Sequence, residues 1–324
     1  MATTRRPRRG SMQFYPRKRA ASFIPRVRSW GPGKEAKLLG FAGYKVGMTH
    51  VMMDDNRANT PTKGTSIACP CTIIECPPLK AVSLRFYQKN VHGFSPISEI
   101  WADSLDKEVA RARRVQKKAI EKKEIPSSFD ELRIVVQTQP KLTGIGKKKP
   151  ELFEMGIGGD PEKQAAYAQQ ILGKEINLTD IFKAGQHIDI YAIGKGKGIQ
   201  GPVQRFGISL KHHKSEKGRR NPGSLGDWRA QVNVMWRVPH AGQTGLFQRN
   251  EFNKWILYIS EKPENPSGGF HRYGILRNPY LLLKGSAIGS KKRLILLSAP
   301  KRPNRKIPTE APKITHISGS FLRQ

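Results

Sequence analysis

Cysteine is scarce: three residues in 324, at Cys69, Cys71 and Cys76. A small odd set cannot frame a disulfide scaffold and fits a reducing compartment. Long apolar runs are missing as well. Those at 280–283 and 294–297 fall far short of the roughly 18 residues a membrane span needs. The first 35 residues hold no apolar core of the kind a secretory signal requires. Their Arg- and Ser-rich composition would suit a mitochondrial transit peptide, but Pro7, Pro16, Pro25 and Pro32 break the amphipathic helix that such a peptide must form. Acid is thin at both ends. None precedes Glu35, and from 265 to 324 Glu310 stands alone against twelve Lys or Arg. Between 190 and 220 the single acid is Glu216. No carboxylate pair, nucleophile with a neighbouring base, or cofactor loop stands out, so nothing motivates an enzyme.

Cation is abundant: 58 Lys plus Arg face 25 Asp plus Glu, a formal net charge of +33. Like charges at this density oppose compaction unless a polyanion neutralises them. Nucleic acid is the leading candidate, because each phosphate contact releases condensed counterions; an anionic membrane surface is the rival. The charge is uneven. Eighteen of the acids lie between Asp54 and Asp189, so three basic stretches flank a nearly balanced block. This is the pattern of a folded body with basic arms. The hydrophobic share, 37%, suffices for one sizeable core with extensions that have none.

From residue 38 short apolar or alternating runs bounded by Gly, Pro, Asn or Asp predict strands: 38–48 (LLGFAGYKVGM), 66–76, 81–87, 133–138, 187–193 (HIDIYAI), 255–260, 270–276, 280–284 and 293–298. Strands at this spacing predict a closed or nearly closed antiparallel barrel. Two helical patterns interrupt them. Over 103–123, Leu105, Val109, Ala112, Ala119 and Ile120 fall along one stripe. Asp160, Pro161 and Glu162 form a helix start, Ala165, Ala168, Ile171 and Leu172 continue it, and Gly173 closes it. The fold class is therefore mainly β with an α/β insertion. Residues 1–36 read as a basic N-terminal extension and 301–324 as a basic C-terminal tail. Between them, 37–300 read as a single globular domain on a β-barrel, with a partly helical insertion at 101–182 and a central extension at 194–246.

The arm carries Arg5, Arg6, Arg8, Arg9, Arg17, Lys18 and Arg19, interleaved with Phe14, Tyr15, Phe23 and Trp30. It cannot bury enough surface to offset its ordering entropy. It is either a solvated tail or a segment ordered against RNA, where aromatic and guanidinium planes stack on exposed bases. Residues 194–202 (GKGKGIQGP) alternate Gly with Lys195 and Lys197, giving a backbone that phosphates can approach closely. The spacing is neither a Walker loop nor a dinucleotide fingerprint; the alternative is a glycine hinge. Arg205 and the stretch 211–220 (KHHKSEKGRR) extend the basic run with Lys211, His212, His213, Lys214, Lys217, Arg219 and Arg220. The two adjacent histidines would not share one face of a helix or strand, and with no nearby Cys a zinc site is not expected. In 221–245 two tryptophans sit among glycines and Arg229 and Arg237. Trp236, within VNVMWRV, reads as a strand residue of the core. Trp228, without apolar neighbours, reads as an exposed loop tip able to plug a gap between RNA helices. The same interface would include His240, Gln243 and Arg249. The three thiols read as small buried hydrophobes rather than zinc ligands.

The segments RRPRRGSMQFYPRKRA (5–20), GFAGYKVGMTHV (40–51), TIIECPPLKAVSLR (72–85), GKGKGIQGPVQRFG (194–207), GSLGDW (223–228), AGQTGLFQRNEFNK (241–254) and LLLKGS (281–286) run in order along the chain. Together they resemble the universal large-subunit ribosomal protein three family, in its archaeal and eukaryotic branch. The resemblance implies a six-stranded barrel of the translation-protein type with long basic extensions, an N-terminal arm and a central loop. It further implies large-subunit rRNA and neighbouring large-subunit proteins as partners, a role early in subunit assembly, and a cytoplasmic ribosomal location. The central extension would approach the peptidyl transferase centre, with Trp228 matching a tip tryptophan. No cofactor, metal, membrane or small-molecule substrate is implied, and peptide-bond catalysis would belong to RNA. Two stretches depart from the pattern: the insertion at 101–182 and residues 229–233 vary within the family. Two other classes compete. An architectural DNA-binding protein should offer a basic helix or paired strands to the major groove, and an RNA-processing enzyme should carry a nucleophile, metal cluster or cofactor loop.

Overall fold

Strands buried on both faces read as continuous apolar runs rather than alternating ones, and several here do. The computed structural model describes residues 10–31, 33, 35–114, 125–126, 128–226, 233–304 and 306–319. In chain order its elements are β1 (Gly40–Asp54), β2 (Ser66–Glu75), β3 (Leu79–Asn90), β4 (Gly93–Trp101), α1 (Val109–Ala112), β5 (Glu131–Gln137), β6 (Leu152–Gly156), α2 (Pro161–Ile171), β7 (Glu175–Ile176), β8 (His187–Ile193), β9 (Gly196–Gln200), α3 (Pro202–Phe206), β10 (Gly242–Gly245), β11 (Gln248–Ser260), β12 (Tyr280–Lys284), β13 (Leu294–Ser298) and β14 (Ile314–Ile317). The chain divides into two compact units: residues 1–22 with 193–248, and residues 23–192 with 249–324.

The second unit contains the barrel. Its strands run β13-β8-β11-β12-β2-β1, and a further pairing of β13 with β1 closes the ring of six. All residues of β8 and β13 are buried. β1 turns the corner by pairing antiparallel with β13 through Gly40–Tyr44 and with β2 through Tyr44–Asp54, with a register shift between Lys45 and Gly47. Gly43 permits the close approach there: a Cβ would lie 2.6 Å from Ile74 and 2.7 Å from the Glu75 carbonyl. β14 adds to β1, so the C-terminal stretch as far as Ile317 joins this unit. Phe41, Ile74, Ile190, Ile256, Leu282 and Leu297 are fully buried in one cluster. Burial of each such side chain contributes about 1.5–3 kcal/mol.

A second sheet, β4-β3-β5-β6 with β7 on β3, comes from residues 79–176. Its polar side carries a ladder of ion pairs. Arg85 reaches Glu99 (3.0 Å) and Glu154 (2.5 Å), and Arg133 reaches Glu131 (2.8 Å) and Glu154 (3.3 Å).

Two buried carboxylates tie loops to the barrel. Glu75 accepts from the Arg277 and Asn278 amides (3.0 and 3.1 Å), from Asn278 Nδ2 (2.8 Å) and from the Tyr273 hydroxyl. Asp189 accepts from the amides of Asn253 (2.9 Å) and Lys301 (3.0 Å). Trp30 docks onto this unit through glycine. A Cβ on Gly40 or Gly156 would lie 2.7 or 2.6 Å from its indole.

Two expectations need correction. The run 270–276 is not a strand. It is a tight turn with one bridge, Phe270 to Gly274, and positive φ at Gly269, Arg272 and Gly274. Of the stripe over 103–123, the described residues 103–114 are helical only at Val109–Ala112, where Arg113 is extended (φ −145°, ψ 129°) and Glu108 supplies no side-chain cap; Ala119 and Ile120 lie outside the described residues. The helix expected after Asp160 is present with Pro161 at its start, though the Asp160 side chain makes no capping bond. The helix buries Ala168 in the core. Strands β5, β6 and β7 of this region pair into the sheet that β3 and β4 begin. Among the described residues no helix is long and apolar enough to cross a membrane.

Candidate nucleic-acid interface

Charge is concentrated in the first unit. Its 78 residues hold 17 Lys or Arg and two acids, Glu216 and Asp227; the other 246 residues hold 41 and 23. Of its described apolar side chains only Ile193 and Phe206 are buried, and backbone pairing and stacking of its cations contribute to its fold.

The base is a two-stranded ribbon in which β9 pairs antiparallel with β10. It is extended by bonds from Gly194 N to Phe247 O (3.0 Å) and from Leu246 N to Lys195 O (2.9 Å). Gly245 has φ +71°, and a Cβ there would sit 2.1 Å from the Lys195 carbonyl, so this crossing requires glycine. Lys195 and Lys197 lie exposed on the ribbon, beside Ile199, which is 80% exposed. After β9, α3 makes a short turn that Gly207 ends in the left-handed conformation (φ 68°, ψ 34°).

Arg205, on that turn, faces inward. Its Nη1 donates to His240 O and its Nε to Gln243 O, both at 3.0 Å, and its guanidinium lies 4.9 Å from the Phe206 ring. Burial lowers its pKa. Arg17 lies over the other aromatic contacts, 4.4 Å from the Phe206 ring and 5.6 Å from the Tyr15 ring, and donates to Ser11 O (3.0 Å). Gly10 approaches Pro239, and Ala20 N donates to Leu246 O (2.9 Å). Residues 10–22 of the expected free arm therefore fold with the central extension.

Beyond α3 the chain makes a loop closed by Lys211 N to Arg219 O (3.0 Å) and Arg219 Nε to Lys211 O (3.3 Å). His212 and His213 meet here, ring centroids 4.1 Å apart. They do so in a turn, outside the helix and strand geometries that would have separated them. Lys211, Lys214, Lys217 and Arg220 are exposed, as are Lys18 and Arg19 on the arm. Met235 N bonds Leu225 O (3.2 Å).

The expected interface residues thus divide. Lys18, Arg19, Lys195, Lys197, Lys211, Lys214, Lys217 and Arg220 present cations outward, together with His212 and His213. Arg17, Arg205 and Arg219 bond their own chain. His240 and Gln243 are partly buried and offer Arg205 their carbonyls. Arg237 is exposed, and Arg249 belongs to the second unit. Arg5, Arg6, Arg8, Arg9, Trp228 and Arg229 lie outside the described residues. Trp236 is not the core strand residue its VNVMWRV context predicts. It sits in a turn, 63% exposed. Phe206, the ring that joins Arg17 to Arg205, was not singled out by sequence; its only signal is its place beside Arg205 and before a glycine. Among the described residues no group of three His, Cys, Asp or Glu could hold a metal ion, and Cys69, Cys71 and Cys76 are buried free thiols.

Comparison with known proteins places the chain among ribosomal proteins, structural components of the ribosome and not enzymes. The profile of the family described as Ribosomal protein L3 matches residues 1–319, and the chain belongs to that family. Among its relatives, the large ribosomal subunit protein uL3 of Methanobrevibacter smithii is 43% identical over 331 residues, covering 98% of each chain. That of Methanothermobacter thermautotrophicus is 45% identical over 335 residues, again 98% of each. That of Archaeoglobus fulgidus is 44% identical over 308 residues, 92% of each.

Proposed function

We propose that the chain is a structural constituent of the large ribosomal subunit, where its first unit binds large-subunit rRNA. The observation that carries this is the outward row of cations on the ribbon and the 211–220 loop, with Glu216 the only acid among that unit's described residues. The designation of its relatives as large-subunit proteins supports the same reading. Exposed Lys and Arg neutralise phosphates, and a glycine-rich backbone lets the ribbon lie close against them. Recognition is by shape more than sequence. The extension at 194–246 would reach toward the peptidyl transferase centre with Trp228 near its tip, the N-terminal arm, folded with that extension over residues 10–22, would enter crevices in folded RNA, and binding would nucleate early assembly beside neighbouring large-subunit proteins.

The test is the salt dependence of binding to a large-subunit rRNA fragment. Replacing Lys195, Lys197, Lys211, Lys214 and Lys217 together by Gln should flatten the log K against log salt slope by about 3.5–4.5. An unchanged slope means that this unit is not the RNA contact. Equal affinity and slope for a DNA duplex of the same length would favour the architectural DNA-binding reading.

A further inference from the structure

We infer that Trp236 and Tyr15 form a seat on which one unpaired RNA nucleobase stacks. The inference rests on the RNA-binding reading above and assigns it a base-contacting site. Trp236 is 63% exposed. A lone surface aromatic is ordinary, but this one is held. Its ring meets Tyr15 edge-on, centroids 5.6 Å apart at 79°. Arg17 covers Tyr15 at 5.6 Å and Phe206 at 4.4 Å. Phe206 in turn carries Arg205 at 4.9 Å, which two backbone carbonyls fix. Five side chains from two segments more than 180 residues apart in sequence thus end in an indole whose orientation is set before any ligand arrives. Fixing a side chain beforehand removes the ordering cost of binding.

The chemistry selects a base. An indole has a wide π face and a single N–H donor, so it offers a phosphate little and a flat heterocycle much. The unit around it carries 17 cations and two acids, which draws RNA rather than an apolar protein surface. In an A-form helix the bases are already stacked on each other, so the occupant is a base splayed from a loop, bulge or single strand.

The full chain is tested with two RNA probes of about ten nucleotides, equal in phosphates: one all adenosine, the other abasic throughout. Anisotropy titrations are run at about 0.15 M salt and at double that concentration. Trp236→Ala and Trp236→Leu should each weaken binding of the adenosine probe about tenfold, leave the abasic probe unchanged and leave both salt slopes unchanged. Trp236→Phe should keep most of the difference. Leu keeps apolar bulk without a π face, so a loss shared by Ala and Leu but not Phe, at equal melting temperatures, assigns the effect to the ring. If the substitutions leave the ratio between probes intact, or weaken both probes alike, the seat is refuted while RNA binding stands. If neither probe nor rRNA binds the unmodified chain, this inference and the RNA-binding reading fall together.

Discussion

Replacing Arg205 separates two roles that a basic residue in this unit can hold. Its guanidinium donates to His240 O and Gln243 O at 3.0 Å each and stacks on Phe206. A hydrogen bond from a charged group contributes about 1.5–3 kcal/mol when shielded, but Arg205 is only partly buried. Discounted for solvent, the two bonds and the stack together come to about 2–3 kcal/mol. Arg205→Ala should therefore open the β9–β10 ribbon locally. Amide exchange at Gly194 and Leu246, whose bonds extend the ribbon, should rise roughly 30- to 150-fold, while the barrel amides stay protected. RNA affinity should drop with little change in salt slope, because no phosphate contact is removed. Arg205→Lys should not rescue, since a lysine cannot span two carbonyls with a planar fork. If Arg205→Ala instead lowers the slope by about 0.7–0.9 with exchange unchanged, and Lys restores it, Arg205 is a phosphate ligand and the clamp is wrong.

Glu75→Ala should destabilise the second unit by about 3–5 kcal/mol in chemical denaturation, because four donors, from Tyr273, Arg277 and (twice) Asn278, lose a fully buried acceptor; a loss under about 1 kcal/mol would mean that water replaces it. Asp55 carries an acid-side prediction. The Arg57 guanidinium beside it, with the Thr62 and Thr60 hydroxyls, holds its carboxyl well below the usual range although burial opposes this. A depressed folded pKa stabilises above the unfolded value of about 3.9 and loses that contribution as pH falls toward the folded value. Melting temperature should thus decline below about pH 4, and Asp55→Asn should lower stability at neutral pH and flatten that decline. An unchanged acid limb would place the titration elsewhere.

The barrel was legible because β1, β2, β12 and β13 are apolar runs, and β8 an alternating one, bounded by glycine, proline and polar residues. β4 was not. GFSPISEIW mixes Pro96 with serines, and its strand form depends on pairing with β3. The 270–276 run has strand composition, yet its glycines take positive φ, which composition does not encode. Charge exposed the interface, but sequence does not distinguish Lys197, turned to solvent, from Arg205, turned onto its own carbonyls. The same limit applies to Trp236. Its apolar neighbours pointed to a core, whereas its ring partner Tyr15 comes from the other end of the sequence.

Sedimentation of a cell extract at moderate and then high salt, probing for this chain, separates a ribosomal component from a free or DNA-bound protein. The chain should co-sediment with large subunits and stay with them through the high-salt wash, held by RNA around its basic segments. A chain that runs free of ribosomes at moderate salt, or leaves with DNA, would contradict the ribosomal reading.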